Sequence, residues 1–265
     1  MQETLPNESQ QRPGDPTLPN TEAELERLIG KEEGSYKYSV EDFFRNPERT
    51  GFQLSQKGDY LAYAGPHERR QNIFVQPVDG GDPIRITNET ERDIAGYFWA
   101  NNNRIVYVKD SGGDENFQLF AVDRDGSNPK DLTPFDGVKI DLIDDLEDQD
   151  DELIIGMNKN NPMLFEPYRI NVQTGKTTKL AENDNPAEPI TGWMTDHAGR
   201  LRIAIKTIEG VNQHIMYRAT EDTPFETVVK TNFKESLDPL LFDFDDGDVV
   251  FCLSNIGRDR SEIIR

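Results

Sequence analysis

The side chains best suited to chemistry in this chain of 265 residues sit in two short polar clusters. The run DSGGDENF, Asp110 to Phe117, sets the carboxylate of Glu115 and the amide of Asn116 beside a pair of glycines. A carboxylate so placed can hold an amine. The more ordinary reading makes Asp110 and Asn116 caps for a loop that depends on Gly113, because short polar side chains commonly satisfy loop backbone groups. The run HERRQ, His67 to Gln71, carries Arg69 and Arg70. Their guanidinium groups match a carboxylate in geometry as well as charge, although a loop arginine is more often simply solvated.

Nucleophile and metal chemistry find less support. No G-x-S-x-G elbow occurs, and the pairs Gly34-Ser35 and Gly126-Ser127 lack the matching glycines. His67, His197 and His214 fall in a loop, a turn and a strand start of different repeats, without the context of a triad. Cys252, the single cysteine, lies in the apolar run DVVFCLS and reads as a small buried hydrophobe. DFDDGD, Asp243 to Asp248, resembles the start of a calcium loop, but its glycine comes one place early and Ser254 stands where a bidentate glutamate is required. The acidic stretch Asp141 to Glu152 is centred on a turn and attracts cations diffusely. We therefore expect no metal site and no cofactor. Asn88-Glu89-Thr90 fits a glycosylation acceptor, which matters only in a secretory setting.

The chain carries 50 acidic residues against 29 Lys and Arg, a formal charge of −21. Such a balance opposes nucleic acid and anionic membrane as partners, since both demand clustered basic residues. No apolar run approaches the length of about 20 residues needed to span a bilayer. The opening MQETLPNESQQRPGDP lacks the basic start and apolar centre of a secretory signal. The expectation is a cytoplasmic protein, or a periplasmic one if a signal has been removed.

The elements that must position these clusters announce themselves by repetition. A short apolar run, a polar turn and an alternating strand recur about every 45 to 48 residues: FQLSQKGDYLAYA, FWANNNRIVYVKD, LEDQDDELIIGM, WMTDHAGRLRIAI and FDFDDGDVVFCL. Within each repeat a second turn follows, at Pro77–Pro83, Asp123–Pro129, Asn171–Thr177 and Ala219–Phe225, rich in the Gly, Asn and Asp of tight hairpins. Four strands per unit at this period mark an all-β fold, a β-propeller of four-stranded antiparallel blades. Complete blades are expected near 51–90, 94–134, 138–182 and 189–231, with a partial fifth over 239–265. WD-type repeats fit poorly, because neither Trp99 nor Trp193 is followed by Asp. Ahead of the repeats, residues 1–20 read as a disordered leader. Two short helices follow, one from N-cap Thr21 with Glu24 to a stop at Gly30, the other over Val40 to Arg45 with Ser39 as N-cap and Asp42 at the third helical position.

The runs YKYSVEDFFRNPERTGFQLSQKGDYLAYAG, Tyr36 to Gly65, and FWANNNRIVYVKDSGGDENFQLFAVDRDG, Phe98 to Gly126, the second with Asp110, Gly113, Glu115 and Asn116 in place, resemble the propeller of the prolyl oligopeptidase family of serine peptidases, in its acylaminoacyl-peptidase and dipeptidyl-peptidase branch. The closing LSNIGRDRSEIIR reads like a blade from the middle of such a propeller, and the resemblance runs over residues 36–265.

The resemblance implies a seven- or eight-bladed propeller that screens access to a C-terminal α/β-hydrolase domain bearing Ser, Asp and His. This chain is then expected to be a truncated, non-catalytic part of such a peptidase, without the hydrolase domain. Its partners would be that domain and peptide substrates, contacted through Arg69, Arg70, Glu115 or Asn116. A stand-alone propeller like the Tol-system periplasmic protein, holding a protein partner on its rim loops, is the alternative.

Overall fold

The computed structural model describes residues 19, 21–29, 37–45 and 47–265. Apart from Pro19, the expected leader lies outside them, as do Gly30 and Asn46. The chain divides into two units, residues 1–46 and 47–265. In the first, α1 (Glu22–Ile29) starts where Thr21 Oγ1 accepts the Glu24 amide at 3.2 Å. The second helix, α2 (Val40–Phe44), opens on a full capping box, Ser39 and Asp42 each accepting the other's backbone amide. It ends one residue short of the expected Arg45, which is already extended.

Residues 47–265 form five antiparallel sheets in which each strand pairs with its neighbour in sequence. The first holds β1 (Thr50–Leu54), β2 (Tyr60–His67), β3 (Arg70–Pro77) and β4 (Ile84–Arg85). The second holds β5 (Gly96–Trp99), β6 (Arg104–Lys109), β7 (Gln118–Asp123) and β8 (Lys130–Asp131). The third holds β9 (Ile140–Asp144), β10 (Glu152–Asn161), β11 (Leu164–Asn171) and β12 (Thr177–Lys179). The fourth holds β13 (Ile190–Thr195), β14 (Leu201–Ile208), β15 (Asn212–Tyr217) and β16 (Glu226–Thr231), and the fifth β17 (Leu237–Phe242), β18 (Val250–Ser254) and β19 (Glu262–Ile264). These are propeller blades, as the repeat implied.

The strand sequences explain the stacking. Side chains alternate between the faces of a sheet, so a strand covered on both sides must be apolar at successive positions. In β6, Ile105 and Tyr107 join Ala62, Ile73 and Val75 of the first sheet, while Val106 turns to Leu153, Ile155 and Met157 of the third. In β7 the same sorting sends Val122 one way and Leu119 and Ala121 the other. Each such fully buried aliphatic side chain contributes about 1.5–3 kcal/mol. A third cluster joins Ile203 and Ile215 to Phe242 and Cys252 across the fourth and fifth sheets.

Antiparallel order gives each sheet two distinct ends. At the turn end lie the first hairpins, and each grips the next. The Lys57 amide donates to Asn102 Oδ1 (3.1 Å), Asn101 Nδ2 to the Asp150 carbonyl (2.7 Å), Gln149 Nε2 to the Ala198 carbonyl (3.0 Å) and His197 Nε2 to the Phe242 carbonyl (2.7 Å). Beside them Arg104, buried, donates to Asp123 (2.7 Å), the Asn128 carbonyl (2.9 Å) and, in the next sheet, the Val172 carbonyl (3.0 Å). At the linking end lie the second-to-third strand connections and the passages between sheets.

Candidate functional site

The residues singled out by type all fall at the linking end of the first two sheets. Between β4 and β5 the chain crosses from one sheet to the next, and Asn72 of β3, wholly buried, pins the crossing. Its Nδ2 donates to the Glu89 carbonyl at 2.9 Å; its Oδ1 accepts the Glu89 amide at 2.7 Å and the Thr87 hydroxyl at 3.0 Å. Lys109 Nζ holds Glu89 Oε2 at 2.7 Å, and the Gln71 amide donates to Asp93 at 2.8 Å.

Asp110, just past β6, is gripped from this crossing. Arg92 forks onto it, Nε to Oδ1 at 2.8 Å and Nη2 to Oδ2 at 2.9 Å. The carboxylate is 2% exposed and the guanidinium 44%, so the arginine lies over its partner like a cover. The Arg92 guanidinium holds the Asp110 carboxyl below the usual carboxylate range against the opposing effect of burial, with the Glu115 amide (3.3 Å) adding to it. Gly113, at φ +87°, passes beneath: a β-carbon there would lie 3.5 Å from Arg92 Nη1. Asp110 and Gly113 thus both lie against the Arg92 guanidinium.

Asn116 does not cap the loop as its type suggested. It donates, from its amide and Nδ2, to the Asp114 carboxylate at 3.0 and 3.1 Å. Asp114 is the acceptor that closes the loop, taking the Ser111 amide as well (3.4 Å), and these bonds hold its carboxyl below the ordinary range. A loop with spare N–H groups selects a carboxylate over a carboxamide, since the carboxylate only accepts. The Glu115 side chain is exposed at φ +59°, with no partner among the described residues.

In the first sheet the connection is shorter than the run HERRQ suggested. His67 pairs with Arg70 across a two-residue turn of Glu68 and Arg69, both left-handed at φ +49° and +69°. Arg70 and Gln71 already belong to β3, and Arg70 Nη1 lies 3.9 Å from Asp93 Oδ2. Arg69 is exposed and has no partner among the described residues. No hydrogen bond or ion pair joins Arg69 or Arg70 to Glu115 or Asn116 among the described residues. What this end can do chemically is present an unpaired guanidinium and an unpaired carboxylate from two stiffened loops.

Elsewhere, no group of three or more His, Cys, Asp or Glu side chains poised for a metal ion occurs among the described residues. His197 stacks on Phe244, centroids 3.8 Å apart, and Cys252 is buried with its thiol pKa raised by that burial. Asp243 to Asp248 forms the hairpin between β17 and β18, the Asp243 amide donating to the Val249 carbonyl at 2.8 Å. Asn72, Arg92 and Asp114 escaped the reading by type. A polar residue inside the apolar run NIFV was the one visible sign, for Asn72; Arg92 and Asp110 are joined across 18 residues without a local signal.

No family model matches the chain. Dipeptidyl aminopeptidase BIII of Pseudoxanthomonas mexicana is 30% identical over 198 residues, which are 71% of this chain and 28% of that protein. Dipeptidyl peptidase family member 6 of Caenorhabditis elegans is 26% identical over 152 residues, 54% of this chain and 20% of its own length. The chain therefore spans about a quarter of the length of these relatives. Among solved structures, Porphyromonas gingivalis dipeptidyl peptidase 4 superposes with a TM-score of 0.55 at 10% identity, covering 86% of this chain and 41% of that one. Oligogalacturonate lyase from Vibrio parahaemolyticus superposes with a TM-score of 0.53 at 12% identity, covering 82% and 66%. At such identities the structural likeness speaks for the fold alone.

Proposed function

The chain belongs to the propeller part of the prolyl oligopeptidase family of peptidases, and from that premise we propose that it gates and docks: it screens substrates by size and seats a serine-hydrolase domain. The observation that carries this is the sequence relation to dipeptidyl aminopeptidase BIII across most of the propeller. In the whole protein the reaction would be acyl transfer from a short peptide to a serine, with the base and oxyanion donors supplied by an α/β-hydrolase domain. The chain's own contribution would come from the linking end. Exposed Arg69 and Glu115 could meet complementary charges on that domain or on a peptide there, held by loops that Asn72, Arg92 and Asp114 keep from shifting.

We take the chain itself to be non-catalytic; His197 spends its Nε2 on the Phe242 carbonyl.

An antibody raised against residues 47–265 tests the reading in cells that make the protein. It should precipitate a polypeptide labelled by a fluorophosphonate probe and able to hydrolyse dipeptidyl 4-nitroanilides, while purified residues 1–265 alone should show no turnover. A precipitate without a labelled hydrolase would sink the peptidase reading. Probe-sensitive turnover by the isolated chain would overturn the non-catalytic one.

A further inference from the structure

We propose that the seam between the third and fourth sheets is a binding cleft for a small organic ammonium ion bearing an aryl or branched alkyl group. The first and second sheets, the second and third, and the fourth and fifth each share a continuous cluster of buried apolar side chains. Between the third and fourth, Ile154 and Ala204 are buried on the facing sides, and beside them lies a cavity of about 450 Å³, lined by Asp141, Ile143, Gly156, Met163, Phe165 and Trp193 among others. That size lies within the range of small-molecule sites, which are mostly apolar with a few placed polar groups.

The register places the residues of the cleft wall. Gly156 of β10 pairs with Asp141 of β9, on the face that Ile155 and Met157 do not occupy. A β-carbon at Gly156 would touch Phe165 Cβ at 3.4 Å and Ile143 Cδ1 at 3.7 Å, so these two side chains close over the glycine and line the cleft with it. Across it stands Trp193 of β13, its Nε1 donating to the Phe165 carbonyl at 3.4 Å. Met163, in the turn between β10 and β11, is 78% exposed at the rim, a large apolar side chain with little to cover it.

Charge selects the ligand. Asp141 is exposed on the cleft wall with no hydrogen-bond or ion partner among the described residues. The neighbouring Glu188 is already matched by Lys206 at 2.8 Å. An apolar cleft with one uncompensated carboxylate favours a cation over an anion of the same shape, and the indole face adds a cation–π contribution. The cleft does not depend on the peptidase reading.

Trp193 supplies the readout. In a Trp99→Phe background, 2-phenylethylammonium should change the remaining tryptophan fluorescence saturably, and 3-phenylpropionate, matched in size and opposite in charge, should not. Asp141→Asn should weaken the ammonium ion about fivefold, the scale of one exposed ion pair. Met163→Lys, at an exposed turn position that leaves the fold intact, should weaken it further by placing a like charge at the rim. Absence of a saturable change, equal response to both ligands, or full affinity in both variants would each overturn the proposal.

Discussion

The two ends of these blades hold the same strands by different means. At the turn end one device repeats: Asn102, Asn101, Gln149 and His197 each bond the neighbouring hairpin, at separations of 45 to 49 residues. At the linking end the threonines past the fourth strands, Thr87 and Thr133, each accept a third-strand amide, from Ile73 and Leu119, but the connections between the second and third strands differ. The first blade has a strained two-residue turn, the second an eight-residue loop under an arginine, and the third an exposed methionine beside a cleft. Repetition is what stacking requires, since each blade must meet the next in the same way. Irregularity on a rigid scaffold is where binding residues can vary without cost to the stack.

The largest test breaks the repeating end. Arg104 is 1% exposed and Asp123 11%, and the pair carries the contact to Val172 in the following sheet. Arg104→Ala leaves a buried carboxylate and two carbonyls without their donor, a loss of about 3–5 kcal/mol. Urea unfolding followed by tryptophan fluorescence should show it as a large drop in midpoint. Asn72→Ala is the counterpart at the linking end. It strips the Glu89 amide and carbonyl and the Thr87 hydroxyl of partners, at about 1–3 kcal/mol, and its effect should centre on hydrogen exchange of residues 86–95. An Asn72→Ala loss as large and as global as that of Arg104→Ala would erase the distinction between the ends.

The same contrast explains what the sequence revealed. The turn end is legible because its hairpins recur with the period, and β6 and β10 are buried at successive positions, as strands covered on both faces must be. The linking end is not, because its structure is made by pairs such as Arg92 with Asp110 and Asn72 with Glu89, fixed only once two sheets stack. Residue type singled out Asp110, which accepts the Glu115 amide, and Asn116, which donates to Asp114, but passed over Asp114 itself. Local propensity could not foresee Arg69 in a left-handed turn, since arginine rarely adopts that conformation.

Acid should sharpen the comparison next. The folded Asp110 carboxyl lies below the ordinary range because Arg92 bonds the charged form. A depressed folded pKa means stability present above the unfolded value, about 3.9, and lost as pH falls through the folded value. Protection of residues 110–117 from hydrogen exchange should therefore fall below about pH 4, and Asp110→Asn should start lower and respond less to the same change. Identical pH profiles for the two proteins would show that the pair does not hold this loop.

The smallest expected effect bears most directly on function. Glu68 and Arg69 occupy a turn with two positive φ angles, the geometry for which Asn-Gly is the favoured pair. Non-glycine residues held there cost of order 1 kcal/mol each, so Glu68→Asn with Arg69→Gly should raise the unfolding free energy by about 1 kcal/mol. Strain kept at an exposed turn with an unpaired guanidinium points to use of that side chain. In the longer peptidase proposed above, the double variant should be more stable and yet lose kcat/KM, whereas Glu68→Asn alone should keep activity. A gain in stability with activity unchanged in the double variant would assign the turn to architecture and leave Glu115 as the remaining contact at the linking end.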